Sequence, residues 1–209
     1  MDKINVMIVE DQAMPRQLFE IFVSTSDRYE LAASIADAGK AIDYVRTGKI
    51  DLILMDVITK NGSNGLDAAA EIKAAYPQVK IIIVTSMPEC SYLNRAREIG
   101  VDSFWYKEVS KDPILAVMDR TMAGEHLYPD STPELMLGQA SNYDFTDRET
   151  EVLREMTAGL MNDEIAARLC ISVNTVKKHI QSMIDKTGFK NRTELAVEAM
   201  KAGFVIPQK

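Results

Sequence analysis

Apolar and polar positions change their spacing twice along the chain, and the two changes divide it into three parts. In the first 124 residues, short and nearly continuous apolar runs alternate with longer segments whose apolar residues recur at helical spacing. Continuous apolar runs are typical of strands that are buried on both faces of a parallel sheet. The predicted strands are residues 3–9, 29–35, 51–55, 80–85 and 102–106, and the predicted helices are residues 14–26, 38–47, 66–76, 88–99 and 113–123. Five such β-α units predict an α/β fold, a doubly wound five-stranded parallel sheet with functional groups at the C-terminal ends of its strands.

The periodicity is lost between residues 125 and 143, where Pro, Gly, Ser and Asn interrupt the chain. This composition predicts a linker, in which residues 133–137 could form a short helix. Four helical patterns follow in residues 144–209, and no strand pattern accompanies them. Thr146 begins a capping box on the first helix, which Gly159 closes, and Asn162 can cap a second helix that runs through Leu169. Ser172 can cap the third helix, which Gly188 ends, and the fourth runs from about Arg192 to Ala202 with Gly203 behind it. The sequence therefore predicts an α/β domain at residues 1–124, a linker at 125–143 and an all-α four-helix domain at 144–209.

The composition is that of a globular protein, with 46% hydrophobic and 26% charged residues in a chain of 209. No apolar run is long enough to cross a bilayer and no signal-peptide pattern begins the chain, so we expect a cytoplasmic protein without a membrane partner. The net charge of −7 is unevenly distributed: residues 144–164 hold seven acidic and two basic side chains, and residues 173–192 hold five basic and one acidic. Because the local charge decides whether DNA phosphates are attracted, residues 173–192 are a candidate DNA-binding segment.

Polar side chains follow or end four of the predicted strands. Glu10 and Asp11 follow the first strand, Asp56 the third and Lys107 the fifth, and Thr85 ends the fourth. In a doubly wound sheet these groups converge on one crevice, where carboxylates repel one another by about 3 kcal/mol per pair at an effective dielectric constant of ~20. A hard divalent cation would relieve this repulsion, and oxygen ligands with open water positions suit Mg²⁺. Together with the ammonium and the hydroxyl, the cation would neutralise a phosphoryl group transferred to Asp56.

With these residues, the segment from about residue 3 to 123 resembles the receiver domain of the CheY-like superfamily. The resemblance implies that Asp56 is the phosphoacceptor and that Thr85 and Lys107 contact the phosphoryl oxygens. It further implies that Phe104 is the switch aromatic residue, which reorients together with Thr85. The Mg²⁺ ligands that it implies are the carboxylates of Glu10, Asp11 and Asp56 and the backbone carbonyl of Ile58.

Two features depart from the usual receiver pattern. Receivers commonly carry Met-Pro shortly after the acceptor and Gly eight residues beyond it, whereas here Thr59-Lys60 stand in that place and Gly65 lies nine residues beyond Asp56. No Pro follows Lys107, where many receivers have one. The five chemical groups are unaffected. Because the longer loop borders Asp56, it bears on the phosphoryl lifetime and on the choice of kinase.

The C-terminal part is similar to the LuxR/FixJ/NarL helix-turn-helix family over nearly all of residues 144–206. The segments that carry the similarity are 145–153, 159–166, 171–180 and 186–193. On the third predicted helix one face is apolar and faces a small core, with Val176, Ile180, Met183 and Ile184. The opposite face carries Asn174, Lys177, Lys178, Gln181 and Asp185. A recognition helix in the major groove needs such a face, and the candidates for contact with base edges are Lys177, Lys178 and Gln181.

Other polar residues of this domain are better placed for DNA phosphates, which position a protein without specifying sequence. These candidates are Thr175, His179, Lys190, Asn191 and Arg192. His179 could equally be a hydrogen-bonded structural histidine, and the lysines could form a solvated helix face. On the last helix, Leu195, Val197, Ala199 and Met200 could be core residues only. The family resemblance implies that this helix also makes a dimer contact, through Leu195, Ala199 and Met200.

The combined resemblance implies a two-component response regulator. A sensor histidine kinase would phosphorylate Asp56, and the shift of Thr85 and Phe104 would control homodimerisation and binding to double-stranded DNA, with RNA polymerase as a further partner. No turnover of an external substrate is expected. One alternative is an orphan regulator that works without phosphorylation. A remote alternative is a Mg²⁺-dependent phosphohydrolase with Asp56 as nucleophile, but Ile58 stands where such enzymes carry the acid that protonates the leaving group.

Overall fold

The computed structural model describes residues 3–107, 110 and 112–205, except for the side chain of Cys90. The chain forms two compact units. Residues 1–86 and 92–131 form the first, which we name the sheet unit, and residues 87–91 and 132–209 form the second, the helical unit. Among the described residues, no helix is both long enough and apolar enough to span a membrane.

The sheet unit is built on five parallel strands in the order β2-β1-β3-β4-β5. The strands are β1 Ile4–Val9, β2 Tyr29–Ile35, β3 Leu52–Met55, β4 Lys80–Thr85 and β5 Ser103–Tyr106. The residues from Leu52 to Met55 are at most 1% exposed, as expected for a strand covered on both faces. The chain reverses its direction of winding between β1 and β3, and in doubly wound sheets a binding crevice opens at such a point. The predicted fold class is therefore confirmed for this unit.

Helices cover the sheet of this unit. They are α1 Ala13–Ser24, α2 Ala41–Thr47, α3 Gly65–Ala75, α4 Cys90–Ile99 and α5 Ile114–Met122. One apolar cluster joins Phe19 and Val23 of α1 and Met118 of α5 to Ile8 and Leu54 of the sheet. The predicted helix 38–47 begins instead with a 3-10 turn, Ala38–Lys40, before α2. The other helix ends lie within three residues of their predicted positions.

The helical unit contains α6 Asp147–Thr157, α7 Asn162–Arg168, α8 Val173–Thr187 and α9 Arg192–Lys201. The predicted capping box at Thr146 is present, as are the Ser172 cap of α8 and the left-handed Gly188 (φ 76°) that ends it. The prediction that Asn162 caps α7 is wrong. Asn162 is the first helical residue, and its side-chain oxygen instead accepts a hydrogen bond from Arg192 at 2.9 Å.

The segment predicted as a linker is structured in both units. Leu127 accepts a hydrogen bond from the Phe104 amide at 2.8 Å, which extends the edge of the sheet beside β5. Residues 133–137 do not form the predicted short helix. A two-stranded hairpin, β6 Met136–Leu137 and β7 Ala140–Ser141, lies there and contributes Leu137 to the core of the helical unit. Its turn needs Gly138 (φ 64°), because a Cβ at that position would lie 2.2 Å from the carbonyl oxygen of Thr187.

Candidate functional site

Three carboxylates meet at the C-terminal end of the sheet. Oxygen atoms of Glu10, Asp11 and Asp56 all lie within 4.8 Å of one another. Parallel pairing continues beyond the ends of the strands, because the amide of Asp56 donates to the carbonyl of Val9 at 2.9 Å. This pairing brings the chain after β3 beside the chain after β1. Glu10 and Asp56 are 0% and 5% exposed, whereas Asp11 is exposed and forms the open side of the cluster.

Lys107 reaches into this cluster from the end of β5. Its Nζ lies 2.8 Å from Oδ2 of Asp56 and 2.5 Å from Oε2 of Glu10. The remaining oxygens of both carboxylates accept backbone hydrogen bonds, Oδ1 of Asp56 from Val57 at 2.7 Å and Oε1 of Glu10 from Gln12 at 3.0 Å. The ammonium group and two amides thus hold both buried carboxylates in fixed orientations.

The charges of the cluster are not balanced. Three carboxylates and one ammonium group leave a net charge of about −2 when all are ionised. Burial raises the pKa of Asp56, and the negative charge of Glu10 adds to this while Lys107 opposes it. Burial also raises the pKa of Asp11, again with a contribution from Glu10. For Lys107, burial acts to lower the pKa, but the charges of Asp56 and Glu10 outweigh burial and raise it. A divalent cation with oxygen ligands fits this donor set.

The remaining groups predicted for this site are Thr85 and Phe104. Thr85 is 0% exposed and lies opposite Tyr106, and its carbonyl accepts the amide of Lys107 at 2.9 Å. Phe104 is paired with Ile83, so its side chain lies on the same face of the sheet as that of Thr85. The Phe104 ring is 3% exposed and lies 5.0 Å from the ring of Tyr106.

The loop after Asp56 contains a short turn, Lys60–Gly62, in which Asn61 has a φ of 64°. Ile58 pairs with Asn64 across the base of this loop. Gly65 then begins α3, and its amide donates to the carbonyl of Val57 at 2.7 Å. A Cβ on Gly65 would lie 1.9 Å from the carbonyl oxygen of Asp56, so only glycine allows α3 to approach Asp56 this closely.

In the helical unit, α8 has the two faces that the sequence predicts. Val176, Ile180 and Met183 are at most 7% exposed, and Ile184 packs against the same core. The opposite side chains are all exposed: Asn174, Lys177, Lys178, Gln181 and Asp185. Gln181 donates to Asp185 at 2.8 Å, which orients its amide along the solvent face.

The candidate phosphate contacts differ in how free their side chains are. Lys190 is exposed and His179 is half-buried. Thr175 shares a hydrogen bond with Ser172 at 2.7 Å, and Asn191 caps α9 by accepting from two backbone amides at 3.0 Å. Arg192 donates to Asn162 at 2.9 Å and to the carbonyl of Leu160 at 3.0 Å, so it ties α9 to the start of α7.

The candidate dimer residues on α9 do not share one environment. Leu195 and Ala199 are 0% exposed and belong to the core of the helical unit. The expectation that these two side chains contact a second copy therefore needs correction, because their own domain already buries them. Met200 is 45% exposed and Val197 is 38% exposed, so these two apolar side chains of α9 are the ones available at the surface.

Sequence reasoning missed a buried carboxylate that fixes α8. Glu149 accepts hydrogen bonds from the Thr146 amide at 2.8 Å, from the Ser182 hydroxyl at 2.7 Å and from Lys186 at 2.6 Å. Burial alone would raise the pKa of Glu149, but these hydrogen bonds, with that of Lys186 foremost, lower it to about 2. The capping-box pattern identified Glu149 as a helix cap, but the pattern carries no information about its contacts on α8.

Comparisons with known proteins match both units. A family model described as the response regulator receiver domain matches residues 6–119, and one described as bacterial regulatory proteins of the luxR family matches residues 144–199. The response regulator protein VraR of Staphylococcus epidermidis is 31% identical over 210 residues, which cover 97% of this chain and 99% of that protein. VraR of Staphylococcus aureus shows the same identity and coverage.

Similar solved structures include RcsB of Salmonella typhimurium, with 20% identity and a TM-score of 0.55 over 96% of this chain and 100% of RcsB. A structure of two RcsB dimers bound to two parallel DNAs has 18% identity and a TM-score of 0.57, covering 95% of this chain and 98% of that one. At these identities the solved structures show a shared fold.

Proposed function

Because the chain belongs to the family of response regulators that join a receiver domain to a LuxR-type DNA-binding domain, we propose that phosphorylation of Asp56 controls how it binds DNA. The proposed domains are the receiver at residues 1–124, the linker at 125–143 and the DNA-binding domain at 144–209, whose last four residues lie outside the described part of the chain. Members of this family regulate transcription and are not metabolic enzymes. The observation that carries the proposal is the contact of Lys107 with Asp56 inside the acidic cluster.

The phosphoryl donor in this proposal is the phosphohistidine of a sensor kinase. An oxygen of Asp56 bonds to phosphorus as the bond from phosphorus to the histidine nitrogen breaks, and the leaving imidazole nitrogen takes up a proton. The ligands proposed for Mg²⁺ are Glu10, Asp11, Asp56 and the carbonyl oxygen of Ile58. When bound there, Mg²⁺ supplies positive charge to the phosphoryl oxygens. Lys107 can turn from the carboxylates to a phosphoryl oxygen, and Thr85 supplies a hydroxyl at the end of the neighbouring strand.

The two residues of the proposed switch, Thr85 and Phe104, share one face of the sheet. Movement of Thr85 toward the phosphoryl group would alter the space behind it, where Phe104 packs beside Tyr106. Repacking of these buried rings would change the surface formed by α4, β5 and α5. A strong switch, from 1:99 to 99:1, requires about 5.5 kcal/mol of differential interaction. Contacts of the phosphoryl group and cooperative dimer binding would supply this energy together.

The proposed DNA contacts lie on and beside α8. Lys177, Lys178 and Gln181, with Asn174 beside them, would contact base edges in the major groove, because their side chains are exposed on the outer face of the helix. The proposed phosphate contacts are Thr175, His179, Lys190, Asn191 and Arg192. A homodimer on a two-fold symmetric site would use Met200 on the exposed side of α9. RNA polymerase is the further proposed partner, and a protein with these partners works in the bacterial cytoplasm.

Two measurements test this function. Incubation with acetyl phosphate and Mg²⁺ should label the wild-type chain and not the Asp56→Asn variant, while Asp43→Asn, an exposed carboxylate on α2, should label normally. Equal labelling of the Asp56 variant would exclude Asp56 as the acceptor. Selection of bound DNA from a random pool, with and without the phosphoryl donor, tests the second step. Equal affinity for the selected DNA under both conditions would support a regulator that works without phosphorylation.

A further inference from the structure

The longer loop after Asp56 is fastened to the chain that follows β2. Asp37 accepts hydrogen bonds from the Ser63 hydroxyl at 2.7 Å, from the Asn61 amide group at 3.0 Å and from the Gly39 backbone amide at 3.0 Å. One carboxylate thus receives three donors, two of them from the loop. These hydrogen bonds lower the pKa of Asp37, that of Ser63 most, so the side chain is ionised at neutral pH.

Thr59 makes a second connection between the same two segments. It is 2% exposed, and its hydroxyl donates to the carbonyl of Ser63 at 2.9 Å while accepting the amide of Ala38 at 3.0 Å. The amide of Lys60 also donates to the carbonyl of Ala36 at 3.0 Å. The loop is therefore held at its base by Thr59 and Lys60 and at its tip by Asp37.

Fixing this loop in one conformation costs conformational entropy. Asn61 and Gly62 both have positive φ, at 64° and 72°, and Gly65 ends the loop. A segment with glycines and left-handed residues loses much conformational entropy when it is ordered, and nearby hydrogen bonds must offset that loss. Ile58 lies at the base of this loop, directly before Thr59, and pairs with Asn64, which directly follows Ser63.

We propose that Asp37 is a positioning residue, which through this loop holds the main chain of Ile58 where its carbonyl oxygen can bind Mg²⁺. The inference rests on the proposed function of the acidic cluster. Asp37 does not touch the metal ligands in this arrangement. It acts through Ser63 and Asn61, and groups that orient a metal ligand from outside the coordination shell commonly affect affinity by about 10- to 100-fold.

The experiment measures Mg²⁺ binding to the full-length chain by isothermal titration calorimetry, with MgCl₂ as the only ligand. Asp37→Ala removes the acceptor and should weaken Mg²⁺ binding about tenfold. Asp37→Asn keeps an acceptor for Ser63 and Gly39, and the Asn61 amide can turn over to pair with it, so binding should weaken by less than about threefold. Asp43→Ala is the matched control, because it removes an exposed carboxylate that pairs with Arg46 in its own helix.

Hydrogen exchange provides a readout without metal. In Asp37→Ala the amides of Thr59 and Ser63 should exchange faster than in the wild type, while those in β3 should not change. Unchanged Mg²⁺ affinity in Asp37→Ala would refute the inference and leave the proposed metal site intact. An equal loss in Asp37→Asn would also refute it, because the effect would then come from charge alone. Wild-type binding by Asp56→Asn would instead refute the metal site itself, and the inference with it.

Discussion

The buried carboxylate of Glu149 makes the stability of the helical unit depend on pH. Replacing it with Gln keeps the size of the side chain and removes its charge. We expect Glu149→Gln to lower the free energy of unfolding of this unit by about 1–2 kcal/mol at pH 7. The difference in the free energy of unfolding between variant and wild type should fall to less than half of that value near pH 3.

The magnitude follows from the pKa of Glu149. Folding lowers it from 4.5 to about 2, and each pKa unit corresponds to about 1.4 kcal/mol, so the upper limit is about 3 kcal/mol. Lys186, the partner with the largest effect, is 31% exposed, and solvent screening reduces this limit. Because the folded pKa is below the unfolded one, the stabilisation is complete above about pH 4.5 and disappears as the pH falls through about 2.

The assay is urea unfolding of the full chain at pH 7 and pH 3. The chain has one tryptophan, Trp105, which lies in the sheet unit, so its fluorescence reports that unit alone. Circular dichroism at 222 nm reports helix in both units. An unfolding transition that appears in the circular dichroism but not in the fluorescence therefore belongs to the helical unit. Asp147→Asn is the matched control, because Asp147 lies in the same first turn of α6 but is exposed.

Two results would contradict this reasoning. If Glu149→Gln and Asp147→Asn destabilised the helical unit equally, the effect would come from the charge at the start of α6, not from the contacts with α8. If the difference between Glu149→Gln and wild type were the same at pH 3 as at pH 7, the carboxylate would not titrate in the expected range. Either result would show that Lys186 does not stabilise the ionised form of Glu149.

Two further pairs of variants probe the loop after Asp56 and the proposed DNA-binding face. Gly65→Ala should destabilise the sheet unit by about 3 kcal/mol or more and prevent phosphorylation of Asp56, because its Cβ would lie 1.9 Å from the Asp56 carbonyl oxygen. Gly62→Ala has open space around its Cβ and should cost only about 1 kcal/mol, and equal losses by Trp105 fluorescence would contradict the steric argument. Lys190→Ala should weaken DNA binding for all sequences and lower the salt dependence by about one unit, whereas Lys177→Ala should also relax the preferred sequence. Identical sequence preferences in both variants would refute the assignment of Lys177 to a base edge.

The sequence predicted the sheet and its crevice well because both depend on local patterns. Four-residue apolar runs identify buried strands, and parallel connections place the ends of those strands at one edge. For that reason the positions of Glu10, Asp56 and Lys107 along the chain were sufficient to expect them near one another. The hydrogen bonds that Glu10 accepts from Gln12 and that Asp56 accepts from Val57 also follow from local chain geometry.

The sequence could not predict contacts that join distant segments. Asp37 is 26 residues from Ser63, and Glu149 is 37 residues from Lys186. In each case the local sequence resembles an ordinary turn or helix cap. The carboxylate also accepts hydrogen bonds from a distant element, and the spacing of apolar residues does not indicate that contact. The last helix illustrates the same limit, because the spacing of its apolar residues did not distinguish buried Leu195 from exposed Met200.

The proposed function gives Lys107 and a metal ion separate tasks in the crevice around Asp56. In the present arrangement Lys107 occupies oxygens of both Glu10 and Asp56, and the cluster still carries a net charge of about −2. A divalent cation bound beside Asp11 would bring that charge to about zero. Phosphorylation would then replace the single charge of Asp56 with the larger negative charge of a phosphoryl group. In that proposal Lys107 would turn toward the added charge, because its ammonium group lies 2.8 Å from Oδ2 of Asp56. Under the proposed function, the buried contact between Lys107 and Asp56 is the position that Lys107 holds before Asp56 is phosphorylated.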